Sequence, residues 1–213
     1  MEKIYRVIAW TLILVGLIIG ALRASAIRWW QVPPNDPELG VSLAPSLNAG
    51  DWVLLWRLTK PGIGSLVVCP DPDDPTNVVV GRAIAGSQDL ITIQNDQVLR
   101  NGEPFKTEQN CTQPRLVVTD PETDQEAELY CDMESVNGNL HKRGFLASKE
   151  TARKFQTRVG SGQLFLLSDN RAFPFDSRHF GTVPRQSCKE SIFYRLTSVK
   201  GFFDVEQRLT YVR

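Results

Sequence analysis

Residues 7–22 form an almost wholly apolar run near the start of a 213-residue chain. Such a run approaches the ~20 residues that cross the hydrocarbon of a bilayer, and it exceeds the apolar core of most cleaved signal peptides. Ala24-Ser25-Ala26 offers a small-residue cleavage pattern, but Arg23 stands between it and the run, which disfavours cleavage there. Residues 7–25 therefore read as an uncleaved membrane anchor behind a short polar start at residues 1–6. Trp29 and Trp30 suit an aromatic belt at the interface. Basic residues flank both ends, so charge alone does not orient the anchor.

Beyond the anchor the pattern changes. Residues 31–38 are rich in proline and polar residues, and residues 26–39 read as a linker. Residues 51–58, 64–69, 78–84 and 163–167 are short strand-like runs, and residues 191–203 hold one or two more. Residues 90–93 and 97–100 suggest a hairpin with Asn95-Asp96 in its turn, and Asn101-Gly102 closes the second strand. Residues 106–158 are polar and irregular, apart from a strand-like 115–119, and read as a smaller inserted subdomain. Long helical periodicity is absent after the anchor. The fold class is mainly β, with one N-terminal transmembrane helix.

Composition excludes some functions. The chain carries 24 basic and 24 acidic residues, so nothing steers it to a polyanion such as nucleic acid. Its four cysteines, Cys69, Cys111, Cys131 and Cys188, lack the close spacing of a zinc site, and His141 and His179 are far apart. No metal or cofactor is expected. An even cysteine count behind an export segment permits disulfides in three connectivities, while four reduced, buried thiols are the alternative.

Two stretches carry chemistry. The first is Ser42-Leu43-Ala44-Pro45-Ser46-Leu47-Asn48-Ala49-Gly50-Asp51, a serine ahead of a rigid turn. The second is Ser168-Asp169-Asn170-Arg171-Ala172-Phe173-Pro174-Phe175-Asp176-Ser177-Arg178-His179-Phe180-Gly181. Together they resemble the type I signal peptidases, which carry Ser-Met-x-Pro-Thr-Leu-x-x-Gly-Asp around the nucleophile and Gly-Asp-Asn-Arg-x-x-Ser-x-Asp-Ser-Arg-x-x-Gly near the end. The resemblance implies a signal-peptidase-like β-fold over residues 40–213, with a variable insertion at 106–158. It implies a cytoplasmic residue 1–6 segment and a soluble domain on the outer face of the membrane. Its partners would be signal peptides of exported preproteins, held extended along Leu43, Ala83 and Ile84.

The same resemblance exposes departures. The family's base is a neutral lysine ahead of Arg-Val-Ile-Gly-Leu-Pro-Gly-Asp, and here that position is Gly81. Arg82 cannot replace it, because a guanidinium stays protonated. The serine that orients the lysine is replaced by Pro174, and the oxyanion-assisting serine of some members by Gly40. Ser42 remains as the nucleophile position. Asp169, Arg171, Asp176, Arg178 and Arg82 are expected to form a charge-assisted structural network. His179, and less so His141, are candidate replacement bases by residue type. The reading is a signal peptidase family protein with impaired hydrolysis. Its alternatives are an active peptidase using another base, and a non-catalytic scaffold for secretion or pilus assembly.

N-terminal sequencing of the membrane-extracted protein checks the anchor. Residues 1–26 should still be attached, whereas a chain beginning at residue 27 would mean a cleaved signal.

Overall fold

The apolar run folds as helix α1 (Glu2–Ser25), in a computed structural model that describes residues 2–94, 97–146 and 154–212. None of its candidate span, Lys3–Arg23, is buried inside the protein. At 1.5 Å per residue α1 is about 36 Å long, enough for the hydrocarbon of a bilayer. No free linker follows it. Strand β1 (Ile27–Gln31) begins at once and pairs antiparallel with β2 (Trp52–Trp56), Trp29 opposite Leu54. The Trp29-Trp30 pair is thus part of a strand, with Trp29 exposed and the Arg23 guanidinium 4.7 Å from its ring centroid.

The main sheet is antiparallel. It also contains β3 (Leu66–Pro70), β4 (Val78–Ala85), β12 (Gln163–Leu167), β13 (Val183–Pro184), β14 (Glu190–Thr197) and β15 (Thr210–Tyr211). The order is β1-β2-β14-β3-β4-β12-β13, with β15 on β14. Alternation along β3 explains why both its faces are apolar: Leu66 and Val68 enter one buried cluster, Val67 and Cys69 another.

A second sheet holds β5 (Leu90–Gln94), β6 (Gln97–Arg100), β7 (Glu103–Pro104) and β11 (Phe155–Arg158), in the order β11-β5-β6-β7. The expected turn at Asn95-Asp96 lies outside the described residues. Asn101 and Gly102, at φ 55° and 86°, form a two-residue hairpin turn between β6 and β7. The third sheet is β8 (Lys106–Thr119), β9 (Glu126–Val136) and β10 (Asn139–Phe145), β9 in the middle. The region read as irregular is therefore two long strands and a shorter one. Its second hairpin was signalled by Asn137-Gly138, at φ 53° and 80°.

The cysteines pair as Cys69–Cys188 and Cys111–Cys131, with Cα atoms 4.4 and 5.5 Å apart. The first ties β3 to the segment before β14; the second crosslinks β8 to β9. Non-reducing peptide mapping should recover these two linkages. Replacing Cys111 and Cys131 by serine should cost about 3 kcal/mol by the loop-entropy relation, read by chemical denaturation.

Candidate functional site

Ser42 ends a short helix, α2 (Pro37–Ser42). Local chemistry sets both its ends. The Asp36 carboxylate accepts from the Leu39 amide at 2.9 Å, and Pro37 starts the first turn. Pro45 lies just beyond and cannot continue the helix. Ser42 is fully buried, and its Oγ donates inward to the Leu39 carbonyl at 2.8 Å. Its own carbonyl accepts from the Asn170 amide at 3.0 Å, while Asn170 Nδ2 donates to the Val41 carbonyl at 2.9 Å. The two sequence boxes meet here, backbone to backbone.

Gly81 lies in β4 opposite Val67. A Cβ built there would sit 3.0 Å from Leu166 Cβ and 3.4 Å from the Leu167 carbonyl oxygen. Position 81, where the resemblance places the family's lysine, therefore carries no side chain and is closely faced by strand β12. Gly40 is closed too: a Cβ would meet Ala49 Cβ at 2.6 Å. Pro174 lines a cleft of about 420 Å³ with Glu38, Asp120, Glu122, Phe173 and His179. Neither Ser42 nor Gly81 is among that cleft's described lining residues. Leu43, Ala83 and Ile84, expected along a peptide groove, are instead fully buried, each in a different apolar cluster. Ala83 and Ile84 are buried because both faces of β4 are covered, and Leu43 because it caps α2 inside the cluster with Leu39 and Leu47.

The charged residues of the boxes hold the chain together. Arg82 donates from Nε and Nη2 to both oxygens of Asp169, at 2.8 and 2.7 Å, and from Nη1 to the Gly64 carbonyl at 2.9 Å. Ser46 Oγ donates to Asp169 Oδ2 at 2.5 Å. Asp176 caps α3 (Ser177–Phe180), accepts from the Ser168 amide at 2.9 Å and pairs with Arg178 at 2.8 Å. Arg171 donates to the Ser168 carbonyl at 2.7 Å and pairs with Glu134 of β9. Asp51, also buried, pairs with Arg195 at 3.0 Å.

Glu134, Ser46 and Arg195 were not anticipated, since each partner is more than thirty residues away in sequence. The Gly-Asp that ends the first box was the available signal for Asp51.

His141 of β10 is fully buried, 3.3 Å from Glu134 Oε2 and 3.8 Å from Asp169 Oδ1, without a well-formed hydrogen bond among the described residues. Burial pushes its pKa below 6.5 and Arg82 pushes the same way, against the two carboxylates. It is neutral here and directed at carboxylates. Burial also opposes charge on Glu134, but Arg171 first, then His141 and Arg143, together outweigh it and hold that carboxyl down to about 2. Arg82 holds Asp169 below the usual range in the same way, despite burial. His179 accepts from the Asp176 amide through Nδ1 at 3.4 Å and stacks on Phe175. Among the described residues no group of three or more His, Cys, Asp or Glu side chains is arranged to hold a metal.

The family model described as signal peptidase, peptidase S26, matches residues 4–195. The chain belongs to that family. It is 26% identical over 149 residues to signal peptidase I V of Bacillus subtilis strain 168, covering 68% of this chain and 74% of that protein. It is 24% identical over 184 residues to signal peptidase I of Pseudomonas fluorescens, covering 78% of this chain and 60% of that one. Family membership, the mainly β architecture and the N-terminal apolar helix all agree with the reading from the two boxes.

His141 makes this signal peptidase family fold sensitive to acid. A folded-state pKa below the unfolded 6.5 means the unfolded chain binds the proton first. The contribution is complete above pH 6.5 and shrinks as pH falls below it. Glu134 acts lower, between 4.5 and about 2. Denaturation midpoints of the full chain should therefore fall from pH 6.5 toward 5, and His141→Gln should flatten that slope. Parallel slopes would contradict the assignment.

Proposed function

We propose that this signal peptidase family protein is membrane-anchored and engages signal peptides of exported proteins but hydrolyses them poorly or not at all. One observation carries the reading: the Ser42 hydroxyl is buried and donates to Leu39, and Leu166 packs where a lysine at position 81 would begin. A serine attacks only when a base takes its proton. Loss of a general base costs about 10²–10⁴ in rate, and up to ~10⁶ where base and nucleophile act as a unit. The outer-face location of the soluble domain, and small side chains before the cut as the preferred substrate, follow from family likeness alone.

One observation favours a second reading, an active peptidase with a relocated base. Lys142 lies on β10, whose Gly144 amide donates to the Asp169 carbonyl at 2.9 Å and whose Gly144 carbonyl accepts from the Arg171 amide. Burial first, then Arg195, lowers the Lys142 pKa.

Incubating the detergent-purified full chain with a preprotein decides between them. The unmodified chain and Ser42→Ala should release the same background of mature product. Ser42-dependent cleavage that Lys142→Met abolishes would replace the first reading by the second. Gly81→Lys with Pro174→Ser should gain activity only when Leu166→Gly removes the Cβ that meets position 81, because overpacking a filled core site costs about 1–3 kcal/mol.

A further inference from the structure

At the junction of α1 and the main sheet lies a cleft of about 370 Å³, lined by Ser25, Arg28, Arg57, Cys69, Lys189 and Glu190 among others. We propose that it binds the phosphate headgroup of an anionic phospholipid, with Arg28, Arg57 and Lys189 as the cationic contacts. The site rests on α1 being a retained anchor, the reading given above.

Position is the first argument. Ser25 is two residues past Arg23, the end of the candidate span, so it stands about 3 Å further along the axis. A headgroup layer is roughly 5–8 Å thick on each side of the hydrocarbon. The cleft therefore opens at phosphate level, and the Arg57 amide, bonded to the Ala26 carbonyl at 2.9 Å, fixes it there.

Charge is the second. Three cations face one carboxylate. Glu190 pairs with Arg28 and lies 3.2 Å from Arg57, which leaves both arginine side chains 42% exposed. Arg28 Nε is buried with no acceptor among the described residues. The negative end of α1 offsets only about half a charge. A phosphodiester would supply acceptors for the exposed N–H groups of both arginines, and guanidinium groups match its oxygens in pairs.

The third is construction. Cys188, bonded to Cys69 of β3, holds Ser187 to Glu190 against the sheet. Lys189 is thus carried on a crosslinked segment and not on a free loop.

The test uses the full chain in nanodiscs of phosphatidylglycerol and phosphatidylcholine, with retained lipid counted by native mass spectrometry. Phosphatidylglycerol should be retained in preference. Arg28→Gln with Arg57→Gln should lower that preference about fivefold per cation removed. Glu190→Gln should raise it, which guards against a variant that merely unfolds. Equal retention of the two lipids, or no change in the variants, would overturn the proposal. Binding of inorganic phosphate alone, as tight as that of the lipid, would overturn the lipid assignment in favour of a soluble anion. The same spectra give the intact mass. If residues 1–25 are missing, the anchor reading fails separately, and flotation of that chain with phosphatidylglycerol vesicles decides the cleft: charge-dependent binding supports it and none overturns it.

Discussion

The Arg82–Asp169 pair is the contact on which the remaining arrangement depends. Both side chains are out of water, and isolating either charge there costs about 3–5 kcal/mol. The two-pronged geometry offsets the desolvation only because the spare valences are also used. Asp169 takes the Ser46 hydroxyl, and Arg82 reaches the Gly64 carbonyl. Four segments distant in sequence are thereby pinned to one point: β4, the loop after β12, the turn after Ser42 and the turn before β3. Glu134 with Arg171 ties the third sheet to the same loop. A neutral His141 fits between them, since the nearby carboxylates are already matched by guanidinium groups.

This division explains what the boxes retain. Asp51, Arg82, Asp169 and Asp176 are all engaged in buried contacts that hold backbone segments in place, and the half-buried Arg178 neutralises Asp176. The positions that differ are of another kind. A lysine at 81 and a serine at 174 would serve the reacting hydroxyl, and the fold closes without them. Gly81 even permits a tighter approach of β12 than a side chain would allow. A scaffold can thus be kept independently of the chemistry it supports, because the two draw on different residues.

Most strands were legible because their apolar periodicity is local. Residues 78–84 became Val78–Ala85, and 163–167 became Gln163–Leu167. Three things were not. Strand β1 hid behind Trp29-Trp30, whose aromatic rings fit a membrane interface as well as a sheet edge. Helix α2 is six residues with an internal glycine, too short to show a period. The third sheet is polar because β8 is mostly exposed, so alternation was diluted, although Asn137-Gly138 marked its turn. In the site, residue types were readable but partners were not. Arg171 pairs with Glu134, 37 positions away, a choice that tertiary folding makes.

The absence of a linker after α1 has a mechanical consequence. Residues 26–39 read as a linker because of the proline-rich 31–38, yet Ala26 continues the helix through its bond to Leu22 and β1 starts at the next residue. Residues paired in a sheet cannot swing as a Pro-rich coil does. The domain is thereby held at one distance and angle to α1. A peptide segment leaving the same membrane would meet it in a defined pose. On the membrane-anchored reading proposed above, β1–β2 pairing would remove part of the entropy of that encounter beforehand, which would favour binding of membrane-tethered segments whether or not Ser42 cuts them.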